Sequence, residues 1–277
     1  MKGCFLIISA LPCQRTPVWL EQHKDVIPPD VLVCSTCKGL YLPTKQLIGH
    51  AMLDALGRAQ PLAFLSGPGF AAGIVKGDPT ALVVAAQTLY HAVLVQRVMS
   101  SMKMRVYTSQ DIVGVQLGGA LKNPLAVGAG MVAGMGFGIN TLSAFITRGA
   151  GELSSLCSAM GGEEHTIAGL SGIGDLMLTA MSSQSRNQKC GQRLIKGDSI
   201  EDILKDMTVE GVPTASVAVA YADVCGLDLP IFRMVNAVIS GEMTPQEALP
   251  FLMSKPIGQE RTGRAGGGGG GGSGESA

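Results

Sequence analysis

Short apolar runs at 5–11, 31–35, 62–66 and 81–86 alternate, along the first part of the chain, with segments whose apolar residues recur at helical spacing, 17–25, 44–57 and 87–101. A strand covered on both faces needs a continuous apolar run, whereas a helix lying on a sheet needs one apolar stripe. The alternation therefore predicts α/β layering around a mostly parallel sheet. A further run, Met104-Arg105-Val106-Tyr107-Thr108, closes that sheet. From Ser109 to about Lys255 no period-two stretch occurs, and apolar residues recur at helical spacing over 141–159, 189–205, 214–225 and 233–252. Helix starts are marked at Ser109-Gln110-Asp111, Ser199-Ile200-Glu201-Asp202 and Thr244-Pro245-Gln246-Glu247, where side-chain oxygens can accept from free amides and proline needs no donor. The pattern predicts an α/β domain over 1–110, an all-helical domain over 111–255 and, around the glycine run Gly266 to Gly272, a disordered tail over 256–277.

One interruption of the apolar pattern carries chemistry. No side chain from Asn123 to Thr147 ionises, and Lys122 stands at the edge of this stretch in Gly118-Gly119-Ala120-Leu121-Lys122-Asn123-Pro124-Leu125-Ala126. Burial disfavours the ammonium and pushes a lysine pKa toward values useful for proton transfer near neutrality. The plainer reading is a lysine that snorkels from a helix end to water. The uncharged stretch is also long enough to span a bilayer, and Gly130, Gly134 and Gly138 have the spacing of close helix contact. Pro124, Asn140, Thr141, Ser143 and Thr147 argue instead for close-packed buried helices.

The charge balance, 21 lysines and arginines against 21 aspartates and glutamates, leaves no global field to attract nucleic acid or acidic membranes. An anionic ligand must be held by a local cluster. The seven cysteines are scattered and odd in number, which fits a reducing compartment better than a disulfide framework. Residues 1–13 imitate a signal peptide, but a buried strand bounded by Pro12 suits the run better.

Glycine-rich pieces invite comparison with nucleotide-binding turns. Gly67-Pro68-Gly69-Phe70-Ala71-Ala72-Gly73 follows an apolar run and opens a helix, but its third glycine comes one residue late and no acidic residue follows at the end of a second strand. Cys34-Ser35-Thr36-Cys37 has redox or metal spacing, yet no second pair or histidine cluster accompanies it, so two ordinary thiols are expected. The four histidines stand singly and support neither a metal site nor a serine–histidine triad. A second polar cluster is more informative: Gly172-Ile173-Gly174-Asp175-Leu176-Met177-Leu178-Thr179, then Ser182-Ser183-Gln184-Ser185-Arg186-Asn187. Hydroxyls, free amides and a guanidinium ahead of a helix suit a phosphate, although Ser185 can equally cap that helix. Asp175 requires a cation partner, and Lys122 is a candidate.

Taken in order, these residues resemble the NAD-dependent glycerol-3-phosphate dehydrogenase family from about Gly3 to about Ser254. The resemblance rests on Leu11-Pro12-Cys13-Gln14, Cys37-Lys38-Gly39-Leu40, Leu65-Ser66-Gly67-Pro68-Gly69-Phe70-Ala71, Val106 to Val115, Leu121-Lys122-Asn123, Thr147-Arg148-Gly149, Ala168 to Leu176, Ser185-Arg186-Asn187 and Val209-Glu210-Gly211. It implies a partial Rossmann-type parallel sheet followed by an all-α substrate-binding and dimerisation domain, with NAD as cofactor. It implies Lys122 as the general base toward the C2 hydroxyl of glycerol 3-phosphate, with Lys38 near the reacting oxygen and Asp175 positioning Lys122. Asn123 and Thr179 are implied to hydrogen-bond the substrate, Arg186 and Asn187 to bind its phosphate, and Gly67 to offer it backbone. Ala71, Arg186 and Glu210 are implied to contact the cofactor. A small phosphorylated substrate, a homodimer and a cytoplasmic setting follow, with an organelle left open.

The departures from the family pattern carry their own expectations. The family's opening strand and glycine-rich dinucleotide fingerprint have no counterpart here, so the sheet is expected to lack its first strands and the run at 5–11 to present an apolar edge. Gly69 stands where the family usually has a hydroxyl residue. Pro124 removes a backbone donor beside the lysine–asparagine pair, and a kink there would shift Lys122. Two other readings stay open: a related dehydrogenase with another hydroxylated substrate, and a non-catalytic partner that dimerises through the helical domain.

Overall fold

A computed structural model describes residues 3–255; the tail expected over 256–277 lies outside them. The strands are β1 (Leu6–Ser9), β2 (Leu32–Ser35), β3 (Leu40–Tyr41), β4 (Gln46–Leu47), β5 (Leu62–Ser66), β6 (Thr80–Ala86) and β7 (Met104–Ser109). Five of them form one sheet in the order β1-β2-β5-β6-β7, and β3 and β4 make a separate two-stranded hairpin that no apolar run announces. Residues of β2 and β5 are buried throughout, as continuous apolar runs require. Among the described residues β1 is an outer strand, paired in parallel with β2 alone; Phe5 just before it and Ile8 within it are 60% and 41% exposed.

The sheet is parallel except at one junction, where β6 runs antiparallel to β5. A parallel return needs a long crossover. Only a six-residue helix joins these two strands, and Gly67 (φ 124°) and Gly77 (φ 85°) turn the chain on either side of it in conformations that favour glycine.

Four helices belong to this layered part: α1 (Thr16–His23), α2 (Ile48–Leu56), α3 (Ala71–Lys76) and α4 (Leu89–Met99). After β7 the described chain is helical: α5 (Ile112–Gly134), α6 (Ile139–Ala159), α7 (Glu164–Ile167), a π turn over Leu170–Gly174, α8 (Asp175–Met181), α9 (Arg186–Ile195), α10 (Ile200–Asp206), α11 (Gly211–Val224), α12 (Pro230–Ser240) and α13 (Pro245–Met253). Asp111, Ser199 and Thr244 cap α5, α10 and α13. The periodic stretches 189–205 and 233–252 each prove to be two helices, broken where Gly197 (φ 96°) and Gly241 (φ 80°) adopt left-handed turns. The stretch 44–57 begins instead in β4, and α2 starts only at Ile48.

The uncharged stretch is explained by α5, whose residues from Gly114 to Met131 are all buried. A helix apolar on every side must be surrounded, and α5 is packed by α6, α8, α9, α11 and α12. No helix of the described residues is long and apolar enough to cross a membrane. Two of the three spaced glycines serve close packing: a Cβ on Gly130 would overlap the Gln188 carbonyl, and one on Gly134 would crowd Ile195. Gly138 faces open space at the start of α6. Pro124 sits inside α5, which continues through it to Gly134, and Lys122 remains engaged with Asp175.

Candidate active site

The carboxyl ends of β1 and β2, the turn after β5, and helices α5, α8 and α9 surround a cavity of about 600 Å³. This is where open α/β sheets hold ligands, and the size suits a small-molecule site. Its wall includes Leu11 and Cys13 after β1, Thr36, Cys37 and Lys38 after β2, and Gly69 and Phe70 after β5. Lys122 and Asn123 of α5, Asp175 and Thr179 of α8, Arg186 and Asn187 of α9, and Glu210 ahead of α11 complete it.

Lys122 is 6% exposed and Asp175 1%. The Lys122 Nζ donates to Asp175 Oδ1 at 2.9 Å and to Thr179 Oγ1 at 2.6 Å. Thr179 Oγ1 in turn donates to the Asp175 backbone carbonyl at 2.7 Å, which orients its oxygen toward the lysine. Lys38 Nζ lies 2.7 Å from Asp175 Oδ2, an ion pair not aligned as a hydrogen bond, and donates to the Gly67 carbonyl at 2.6 Å. One buried carboxylate thus holds two ammonium groups. The close approach depends on Gly119: a Cβ there would come 2.8 Å from Ser66 Oγ and 3.5 Å from Lys38 Cγ.

Burial pushes the Lys122 pKa down to about 8; the charge of Asp175 pulls it back up, and Lys38 pushes it down again. Desolvation is the largest of these, as expected for a cation in an apolar wall. Near neutrality the group exchanges a proton readily, which is the condition for general acid–base work.

A chain of amides crosses the cavity's far side. The Gly211 amide donates to Asn187 Oδ1 at 2.9 Å, Asn187 Nδ2 donates to Asn123 Oδ1 at 2.9 Å, and Asn123 Nδ2 donates to the Lys38 carbonyl at 3.2 Å. Each carboxamide keeps one N–H for a ligand. Ser185 takes the capping role, its hydroxyl accepting the Gln188 amide at 3.2 Å. Arg186, first in α9, is exposed and close enough to Glu210 to lower the latter's pKa, while burial raises it more. A guanidinium beside the free amides of a ten-residue helix has the chemistry to hold an anion.

Of the residues singled out in the sequence, the structure brings Lys38, Gly67, Lys122, Asn123, Asp175, Thr179, Asn187, Arg186 and Glu210 together. Ala71 opens α3 as an exposed residue next to Phe70, outside the cavity wall. Sequence reasoning missed Ser66, whose buried hydroxyl has no partner among the described residues, and Cys13, which joins Cys37 in the wall. Only the resemblance in Leu11-Pro12-Cys13-Gln14 pointed near the latter.

A nicotinamide cofactor is the group such a crevice would take, and the near half of the site fits it. Strand carboxyl ends, Phe70, Arg186 and the half-buried Glu210 offer an apolar face with polar groups at its rim. The hydroxyl of Ser9, at the end of β1, is also buried without a partner among the described residues.

Comparison with known proteins gives the same picture over most of the chain. Residues 1–92 match the family model described as the NAD-dependent glycerol-3-phosphate dehydrogenase N-terminus, and residues 111–250 match its C-terminus. The glycerol-3-phosphate dehydrogenase, NAD(P)+, of Acidobacterium capsulatum is 40% identical over 91% of this chain and 76% of its own length. That of Sinorhizobium fredii is 41% identical over 94% and 78%. Among solved structures, the glycerol-3-phosphate dehydrogenase of Coxiella burnetii superposes with a TM-score of 0.85 at 28% identity, covering 92% of this chain and 78% of that one.

Proposed function

Because the chain belongs to the NAD-dependent glycerol-3-phosphate dehydrogenase family, we propose that Lys122 is the group that moves the substrate proton. The chain is an oxidoreductase that interconverts sn-glycerol 3-phosphate and dihydroxyacetone phosphate with NAD. When bound, the nicotinamide accepts or supplies the hydride at C2. Every other task falls to the chain.

A neutral lysine has two N–H bonds and one lone pair. At Lys122 two donor directions are taken, by Asp175 Oδ1 and Thr179 Oγ1, so the lone pair remains for the hydroxyl proton of glycerol 3-phosphate. In the reverse direction that third position carries the proton delivered to the carbonyl oxygen. Lys38, ion-paired with Asp175, stabilises negative charge on the same oxygen. Asp175 and Thr179 act as positioning residues, since their polar atoms are committed to the lysines and to each other. Asn123 and Asn187 each retain one amide hydrogen for the substrate, and Arg186 with the α9 amides binds its phosphate. Glu210 and Arg186 line the cofactor side, and Gly67, its carbonyl held by Lys38, supports the substrate side.

The observation that carries this reading is one buried carboxylate holding both lysines. Its test is NADH absorbance in a mixture of NAD and glycerol 3-phosphate: turnover by the parent chain and its loss in Lys122→Met support the assignment. Equal turnover by both contradicts it.

Residues 1–110 serve in this scheme as the cofactor half and 111–255 as the substrate and dimerisation half. A homodimer is supported by large apolar side chains left exposed where α6 begins, Phe137 and Ile139, and light scattering reads it directly. A cytoplasmic setting is supported by seven unpaired cysteines.

A further inference from the structure

Cys13 follows β1 and Cys37 follows β2, and both line the active-site cavity. Cys13 packs back onto the segment just beyond Cys37: its Sγ donates to the Leu40 carbonyl at 3.4 Å, and its Cβ and Sγ both lie 3.2 Å from where a Cβ on Gly39 would stand. Cys37 Sγ sits 3.1 Å from Ser35 Oγ. Both belong to one apolar cluster, and their mutual influence holds Cys37 below the ordinary thiol range and Cys13 above it. Ser35 adds its hydroxyl to Cys37, while the Thr16 hydroxyl is directed at the Leu11 and Pro12 carbonyls. The cysteine that matches Cys37 in sequence spacing, Cys34, belongs to a different core cluster, where burial pushes its thiol up to about 12.

We propose that Cys13 and Cys37 are an oxidisable pair in the cavity wall, closed to a disulfide by a peroxide and reopened by a dithiol. The partly exposed Cys37 is the entry point. Its thiolate attacks one peroxide oxygen, the O–O bond breaks, and a sulfenic acid and one water result after protonation. The Cys13 thiol then attacks that sulfur, forming the S–S bond while the S–O bond breaks and a second water leaves with the Cys13 proton. The two sulfurs together lose two electrons and the peroxide gains them. Cys37 immediately precedes Lys38, whose ammonium is fixed between Gly67 and Asp175. A bond from Cys37 to Cys13 pulls on that backbone and displaces Lys38. A displacement of about 1 Å costs on the order of a hundredfold in rate. This consequence rests on the dehydrogenase reading, whereas formation of the bond does not.

The experiment is a hydrogen peroxide titration of the full chain, followed by alkylation, peptide mapping by mass spectrometry and parallel assay of glycerol 3-phosphate oxidation. The expected result is a Cys13–Cys37 linked peptide pair that has lost two hydrogens, appears as activity falls, and disappears with recovery in dithiothreitol. In Cys13→Ala the same treatment leaves Cys37 as a sulfenic acid that dimedone traps. Oxidation of Cys37 without any link to Cys13, or a linked chain that retains full activity, overturns the proposal. A link that forms in a chain inert toward glycerol 3-phosphate upholds the pair and counts against the dehydrogenase reading instead.

Discussion

Replacing Asp175 by asparagine keeps the shape of the site and removes the one charge that both lysines share. At the observed 2.9 Å between Lys122 Nζ and Oδ1, the attraction is about 6 kcal/mol at an effective dielectric constant of about 20. Water entry and relaxation reduce its effect to a shift of about one to three pKa units, the usual influence of an adjacent opposite charge. The sign follows from the causes. Asp175 is what raises the Lys122 pKa, while burial and Lys38 lower it, so its removal takes the value from about 8 down to about 5–7. With Lys122 as the proposed base, oxidation of glycerol 3-phosphate needs its neutral form, so kcat/KM in the parent is expected to rise with pH through about 8. In Asp175→Asn that acidic limb moves down by one to three units on the same estimate. At alkaline pH Lys122 is neutral in parent and variant alike, and the remaining loss, on the order of tenfold to a hundredfold, measures orientation alone. The assay is initial rate by NADH absorbance from about pH 5 to about pH 10, with unfolding curves to confirm a folded variant. An acidic limb that stays at the parent's pH refutes the electrostatic role given to Asp175.

In the direction of dihydroxyacetone phosphate reduction the dependence inverts: the protonated lysine is required, so kcat/KM falls as pH rises through about 8, and a rise there would contradict the assignment. Arg186→Ala is expected to raise KM for glycerol 3-phosphate by about 10- to 100-fold, the worth of a hydrogen bond to a charged group, while leaving oxidation of unphosphorylated glycerol unchanged; equal effects on both would remove Arg186 from the phosphate. Glu152, buried in α6, accepts the Ile231 and Phe232 amides and is pushed up to about 7 by burial. Between its ordinary value of 4.5 and about 7 the folded chain keeps a proton that the unfolded chain has released, so stability falls as pH rises across that window by about 1.4 kcal/mol per unit. Glu152→Gln removes that contribution, and identical urea-midpoint slopes in the two proteins would refute it. Gly191→Ala drives a methyl group into the Val127 carbonyl where α9 crosses α5, and is expected to cost about 1–3 kcal/mol at unchanged m-value.

The strands and the helical half were legible because burial writes itself into composition: β2 and β5 are buried throughout and read as short apolar runs, and α5, buried from Gly114 to Met131, is apolar but for Gln116, Lys122 and Asn123. What escaped were features set by single residues or distant contacts. The β3–β4 hairpin has two residues per strand, too few for any periodicity. The antiparallel β6 is decided by the short connection after Gly67, which leaves the apolar run itself unaltered. The helix breaks at Gly197 and Gly241 lie within otherwise regular spacing, since one left-handed glycine ends a helix without disturbing its apolar stripe. In the site, Lys122 and Asp175 announced themselves as lone charges in uncharged surroundings. Lys38 was found only through resemblance, because on a loop after a strand a lysine has no anomalous context. The meeting of Cys13 with Cys37 is a product of parallel strand pairing, Ser9 beside Ser35, and spacing along the chain gives no sign of it.

The proton-moving role of Lys122 is tested most directly by deleting its amine and supplying another. Lys122→Ala is expected to lose about 10²- to 10⁴-fold in kcat, the contribution of a positioned acid–base group, and to regain activity in proportion to added small primary amines, with a rescue that follows the free-base form as pH rises. A Lys122→Ala chain that turns over glycerol 3-phosphate within about threefold of the parent, against that expected loss, would contradict the account.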